Sequence, residues 1–140
     1  MKAAEGSVYK IDLRDGKPAH YWIILHDPQI VDGRFLTVSL TDRHNLDPVS
    51  DVWEFNYSIC PALKLSKPSI VALRYVLVKT QSWLDEKDAE FICTCNAATL
   101  KRARCNLLWY PRFLSSDANR LVQFYTNSWD PCGSAPPNKP

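Results

Sequence analysis

Two histidines, an arginine, a threonine and a tyrosine stand where two short apolar runs meet polar sequence. The first run, Ala19-His20-Tyr21-Trp22-Ile23-Ile24-Leu25-His26-Asp27-Pro28, is entered through His20 and Tyr21 and left through a turn. The second, Phe35-Leu36-Thr37-Val38-Ser39-Leu40-Thr41, leads into Asp42, Arg43 and His44. As neighbouring strands, the two runs gather His20, Tyr21, Thr41, Asp42, Arg43 and His44 near one sheet edge. Imidazoles such as His20 and His44 exchange protons near neutrality, so either suits a general base or acid. The guanidinium of Arg43 or Arg34 can grip a phosphate with two parallel hydrogen bonds, and Lys17 can act as a point charge. The Thr41 hydroxyl can hydrogen-bond a phosphate or a ribose. A base, an acid and a cation are what displacement at a phosphate needs. Trp22, Trp53 or Trp83 can stack a nucleobase, worth about 1–3 kcal/mol each.

Each of these residues also has a plainer reading. His20 and His26 flank a strand and read equally well as surface or turn histidines, and His44 sits in a polar loop. Thr41 and Asp42 at a strand end can cap the following loop through side-chain-to-backbone bonds. Asp27-Pro28 is a turn former, and tryptophans commonly fill cores. Cys93-Thr94-Cys95 is C-x-C rather than C-x-x-C, and neither cysteine nor histidine spacing matches the usual zinc pairs. No metal and no other cofactor is expected.

The elements that must position these groups are mostly strands. Val8 to Leu13 alternates apolar and polar residues, as a half-buried strand does. Arg14-Asp15-Gly16-Lys17-Pro18 is a turn, with Asp-Gly as its signal. The two central runs are separated by Asp27 to Gly33, a longer hairpin loop. Asp42 to Ser50 reads as loop and Val52 to Tyr57 as a strand. Pro61 and Pro68 bracket a segment that cannot be a central strand throughout. Ser69 to Val78 is the strongest β run, rich in β-branched residues, and Glu90 to Cys93 is a short strand. Helices are confined to the last third. Thr94 or Asn96 can cap a helix from Ala97 to Leu108, whose apolar stripe is Leu100, Ala103, Leu107 and Leu108. A second spans Ser116 to Tyr125, with Ser115, Ser116 or Asp117 as the cap. The sequence therefore predicts a mainly β (β+α) domain, a small barrel with a C-terminal helix and a helical or irregular extension. The domain runs from 6 to 108, the extension over 109–129, and the tail over 130–140 is expected to be disordered.

Composition narrows the function classes. At 140 residues the chain suits one domain, and 46% apolar residues suffice for a core. A net charge of +2 does not announce nucleic-acid binding, so that claim must rest on local clustering. One cluster is Lys101, Arg102 and Arg104 with nearby Arg112, without an acid from Asn96 to Ser116. It is a phosphate or acidic-partner contact, or a solvated helix face. The acidic stretch Asp85 to Glu90 precedes it and reads as a solvated loop that repels RNA from that side. No apolar run is long enough to span a bilayer, and the first six residues lack a hydrophobic signal core. Five cysteines, odd in number and irregularly spaced, fit a cytoplasmic protein.

The order of motifs resembles a known family. A Gly-Ser start precedes the first strand. Next come His20-Tyr21-Trp22-Ile23-Ile24-Leu25 with Asp27-Pro28, a strand ending Val38-Ser39-Leu40-Thr41-Asp42, and Lys67-Pro68-Ser69-Ile70-Val71. A strand then leads into a helix with Thr99-Leu100, Ala103 and Leu107. From about Gly6 to Leu108 this resembles the MazF/PemK-like group of toxin–antitoxin and phage-borne proteins, which share a small SH3-like barrel. The resemblance implies a metal-independent endoribonuclease acting on single-stranded RNA, a homodimer, and a protein antitoxin or other protein partner over the RNA groove. It sets Thr41 at the hydroxyl that ends the family's third strand, and with the residue chemistry above the expected catalytic residues are His20, Thr41 and Arg43. The expected nucleic-acid contacts are Lys17, Tyr21, Arg34, His44, Lys101, Arg102 and Arg104. The chain departs from the family at one place. Tyr21 stands where active members carry an arginine in a Gly-x-Arg-Pro context, and Lys17-Pro18 matches only as a shifted stand-in.

That departure motivates an alternative, a catalytically inactive small-barrel binding module of phage or mobile-element type, acting through a protein or nucleic-acid partner. A third possibility is a structural subunit whose aromatic extension (Phe113, Leu114, Leu121, Val122, Phe124, Tyr125, Trp129) covers the barrel or a neighbouring protomer.

Overall fold

A computed structural model describes residues 2–12, 20–42, 51–55, 58–60, 63–64, 69–111 and 114–134. Among the described residues eight strands and three α-helices follow one another: β1 (Ser7–Ile11), β2 (His20–Ile24), β3 (Phe35–Asp42), β4 (Asp51–Phe55), β5 (Ser58–Cys60), β6 (Leu63–Lys64), β7 (Ser69–Lys79), α1 (Gln81–Glu86), β8 (Glu90–Thr94), α2 (Ala97–Trp109) and α3 (Ser116–Tyr125). Six strands form one sheet in the order β4-β7-β3-β2-β1-β8, and β5 and β6 form a separate two-stranded sheet. The described strand pairs of both sheets are antiparallel. The expected mainly β chain with late helices is what forms.

The alternation in β2 explains why the sheet is buried on both faces. Trp22 and Ile24 point one way and Ile23 the other, with Leu25 continuing the second set, and all four are inaccessible or nearly so. Successive strand residues face opposite sides, so each face receives its own cover. On one face Tyr9, Ile11, Trp22, Ile24 and Phe35 pack with Leu84 of α1. On the other, Val8, Ile23, Leu25, Leu36, Val38 and Leu40 pack with Ala103 and Leu107 of α2, Ala118, Leu121 and Val122 of α3, and Trp129. Each fully buried aliphatic or aromatic side chain contributes about 1.5–3 kcal/mol.

The helix ends follow their sequence signals. The Asn96 side chain accepts a hydrogen bond from the Thr99 N–H at 2.8 Å, capping α2. The Ser115 hydroxyl accepts from the Ala118 N–H at 3.1 Å, capping α3. The 109–129 extension docks on the sheet of its own chain, with α3 against β3 and β7. Helix α1 was not expected. It has no side-chain cap and buries only Leu84, so its acidic sequence reads as a loop.

Gly6 ties three strands together. Its N–H donates to the Ile24 carbonyl at 2.8 Å, and its own carbonyl accepts from the Cys95 N–H at 2.8 Å. Its φ of +81° lies in the left-handed region, and an added Cβ would approach Thr94 Cγ2 to 3.3 Å. Only glycine takes this position without strain.

Two disulfides staple the chain: Cys60 of β5 to Cys93 of β8, and Cys105 of α2 to Cys132. Cys95 is buried and free. Within the tail expected to be disordered from Asp130, residues 130–134 run beside α2, held by Cys132 and by the Trp109 indole N–H, which donates to the Gly133 carbonyl at 3.0 Å. Residues 135–140 lie outside the described residues.

Candidate functional site

The sheet gathers part of the expected constellation at one end. His20 opens β2 directly opposite Ile11 of β1. One step along, Tyr21 pairs with Leu40 of β3. Thr41 and Asp42 then pair with Ile70 and Ser69 at the start of β7. The antiparallel register therefore sets His20 beside the Leu40–Thr41 end of β3, as expected from adjacent strands. The half-buried His20 holds its Nδ1 3.5 Å from the Leu40 carbonyl oxygen, long for a hydrogen bond. Tyr21 is half-buried and packs against the core that carries α2 and α3.

At the same sheet end, beyond β1, lies an open cleft of about 440 Å³ lined by Lys10, Asp12, Glu86, Lys87, Asp88 and Glu90. The pairing of Lys10 with Glu90 puts it one strand away from His20. Four carboxylates against two ammonium groups make this flank repel a polyanion. No cluster of three or more histidine, cysteine or acidic side chains able to hold a metal occurs among the described residues.

The other expected phosphate contacts lie elsewhere. Arg34 belongs to the β2–β3 connection at the opposite end of these strands, where its Nε donates to Asp32 at 2.8 Å. The Arg34 backbone N–H, and then that side-chain bond, hold the Asp32 carboxyl below its usual range. Arg104 is at that end too. Its guanidinium donates to the Leu25 carbonyl, pairs with Glu5 and lies over the Trp129 ring at 5.1 Å. Arg102 lies over the Trp109 ring at 5.3 Å. Lys101 is exposed. Lys17, Arg43 and His44 lie outside the described residues, as does the side chain of Thr41.

One chemistry-bearing residue behaves differently from its sequence reading as a surface or turn histidine. His26 is 2% exposed. Its Nε2 accepts from the Leu36 backbone N–H at 3.0 Å, so Nδ1 carries the proton and donates to the Asp27 carbonyl at 2.8 Å. The ring stacks on Tyr125 at 3.9 Å. Burial, aided by the Arg104 charge, lowers its pKa against the opposing pull of Asp27 and Glu5. No local signal distinguishes it, because the ring is covered by α3, about a hundred residues downstream.

Two groups differ in kind, then. His20 is half-buried at a strand end with one long contact described, whereas His26 and Arg104 are committed to holding the opposite end together. Comparisons with protein-family models, curated proteins and solved structures find no match for this chain.

Proposed function

We propose that the chain is a MazF/PemK-like protein whose His20–Thr41 sheet end cuts single-stranded RNA without a metal. The observation that carries this reading is the register that sets His20 beside the end of β3. In the proposed reaction the His20 imidazole takes the ribose 2′-hydroxyl proton as the oxygen attacks the adjacent phosphorus. The P–O5′ bond breaks, and the leaving 5′-oxygen takes a proton from the protonated imidazole or from water. Thr41 hydrogen-bonds the phosphate, and Arg43, two residues further, supplies the charge that the crowded phosphate requires. RNA then enters from the β3 side, away from the acidic cleft beyond β1. A protein antitoxin covering this groove and a second copy of the chain belong to the same reading.

The SH3-like barrel of that reading is supported by the Cys60–Cys93 link. β4 is one edge of the six-stranded sheet and β8 the other. Cys60 follows the last residue of β4 by five positions, a reach of about 17 Å at most, yet its Cα lies 6.7 Å from that of Cys93. The link ties the segment after one sheet edge to the other edge, as a closed barrel would have it.

A second reading, a non-catalytic binding module, is favoured by the cations. Arg34 and Arg104 are engaged within the chain, and the family's arginine is replaced by a tyrosine packed on the core.

Incubation of the purified chain with a long single-stranded RNA in excess EDTA separates the two. Cutting by the wild type, lost in the His20→Ala, Thr41→Ala double variant with its melting temperature retained, is the result the nuclease reading expects. Intact RNA with wild type overturns it in favour of the module.

A further inference from the structure

Each disulfide ties down a part of the described chain with little regular structure of its own. Two-stranded β5–β6 is a sheet too small to be stable alone, and Cys60 ties it to β8. Residues 130–134 have no regular structure, and Cys132 ties them to α2 alongside the Trp109–Gly133 hydrogen bond. The Cα separations of 6.7 and 5.5 Å both lie within the range a disulfide spans. The bridges close loops of 33 and 27 residues, long enough for each to restrict the unfolded chain substantially. These features are those of a chain held in an oxidised state, and they run against the cytoplasmic compartment expected from cysteine number and spacing, where such bonds are rare.

We propose that the native chain is a two-disulfide protein whose C-terminal strap, residues 130–134, is locked on α2 by oxidation and released by reduction. Each bridge forms as two cysteine thiols lose two electrons and two protons to a disulfide oxidant, such as oxidised glutathione, which leaves as two thiols. The reverse exchange with a dithiol opens it. Cys95 does not disturb the pairing. It is two residues from Cys93 but buried, and burial pushes its thiol up to about 11, so it stays protonated and a poor nucleophile. Opening Cys105–Cys132 leaves the strap attached through the Trp109–Gly133 hydrogen bond, which is solvent-exposed. Trp129, buried in the main core beneath Arg104, marks where the firmly held chain ends. The proposal goes beyond the ribonuclease reading and does not rest on it.

The test uses the full chain refolded in a glutathione redox buffer and read without reference to RNA. Alkylation under denaturing, non-reducing conditions is expected to label one cysteine, Cys95, and all five after reduction. Peptide mapping is expected to pair Cys60 with Cys93 and Cys105 with Cys132. Limited proteolysis is expected to cut the chain between Trp129 and Cys132 only when dithiothreitol is present, and Cys132→Ser is expected to be cut there without it. Reduction of both bridges is expected to lower the melting temperature by about 10 °C, whereas Cys95→Ser keeps both bridges and the oxidised melting temperature. Five labelled cysteines in a cooperatively folded chain overturn the proposal, as does a trimming pattern indifferent to dithiothreitol and to Cys132→Ser.

Discussion

The guanidinium of Arg104 lies against the main-chain carbonyl of Leu25, 79 residues earlier, and donates to it from Nε at 2.9 Å and from Nη2 at 2.7 Å. Leu25 is fully buried just past the last residue of β2. The contact therefore supplies, from a helix, the donors that a strand end lacks.

Arg104→Ala is expected to destabilise the fold by about 2–3 kcal/mol, since it strands the Leu25 carbonyl without those donors and uncovers Trp129. Arg104→Lys keeps a charge but not the fork, and is expected to recover less than half of that loss. Glu5→Gln, at the exposed side of the same cluster, is expected to cost under about 1 kcal/mol. Urea denaturation of the three variants measures the ranking. Equal losses for Glu5→Gln and Arg104→Ala would show that the ion pair, rather than the carbonyl contact, matters.

The lowered His26 pKa has a defined sign in stability. Below about pH 6.5, the usual histidine value, the unfolded chain takes up a proton that the folded chain refuses, so unfolding becomes more favourable. The contribution is therefore intact above that pH and lost as pH falls toward the depressed folded value. Protonation also removes the acceptor for the Leu36 N–H and adds a cation beside Arg104, with Glu5, Asp27 and, through Tyr125, Asp32 as the nearby anions. The melting temperature is expected to fall between pH 7 and 5, and more steeply in wild type than in His26→Gln. Parallel pH profiles for the two proteins would assign the acid sensitivity to another group.

Gly6→Ala places a methyl group 3.3 Å from Thr94 Cγ2 on a backbone with φ of +81°. A loss of about 1–3 kcal/mol is expected. Gly33 also has a positive φ, but an added Cβ meets nothing within 4 Å. Gly33→Ala then carries the backbone strain alone and is expected to cost less. Thermal unfolding of the pair separates crowding from strain.

Lys101 is the exposed cation of the α2 group. Lys101→Glu is expected to change stability by less than about 0.5 kcal/mol. If RNA crosses α2, the salt dependence of binding falls by about one counterion. An unchanged salt slope in a filter-binding titration would route RNA away from this helix.

The strands were legible because alternation is a local property: β1, β2, β3 and β7 each lie on, or within one residue of, a run read as a strand. The His20–Thr41 neighbourhood was legible for the same reason, since a hairpin between the two central runs fixes which ends meet. The caps at Asn96 and Ser115 carried their own signals. What escaped was set by distant chain. The burial of His26 depends on Tyr125, the engagement of Arg104 on Leu25, and the cysteine pairing on how β5 and the tail return to β8 and α2. Charge clustering on α2 indicated a basic stripe, but only packing shows that Arg104 turns into the structure while Lys101 turns away.

The pairing of β1 with β8 bears on the order of events during synthesis. β1, β2 and β3 leave the ribosome before β8 and can pair as a meander at once. The outer edge of β1 has no partner until Glu90–Thr94 emerges, and Gly6 and Glu5 wait still longer for Cys95 and Arg104. Over that interval the nascent chain presents an unpaired strand edge flanked by buried-type side chains, the form most prone to join another chain. A stalled or truncated product ending before β8 is thus expected to be a chaperone client or an aggregate, however sound its first three strands.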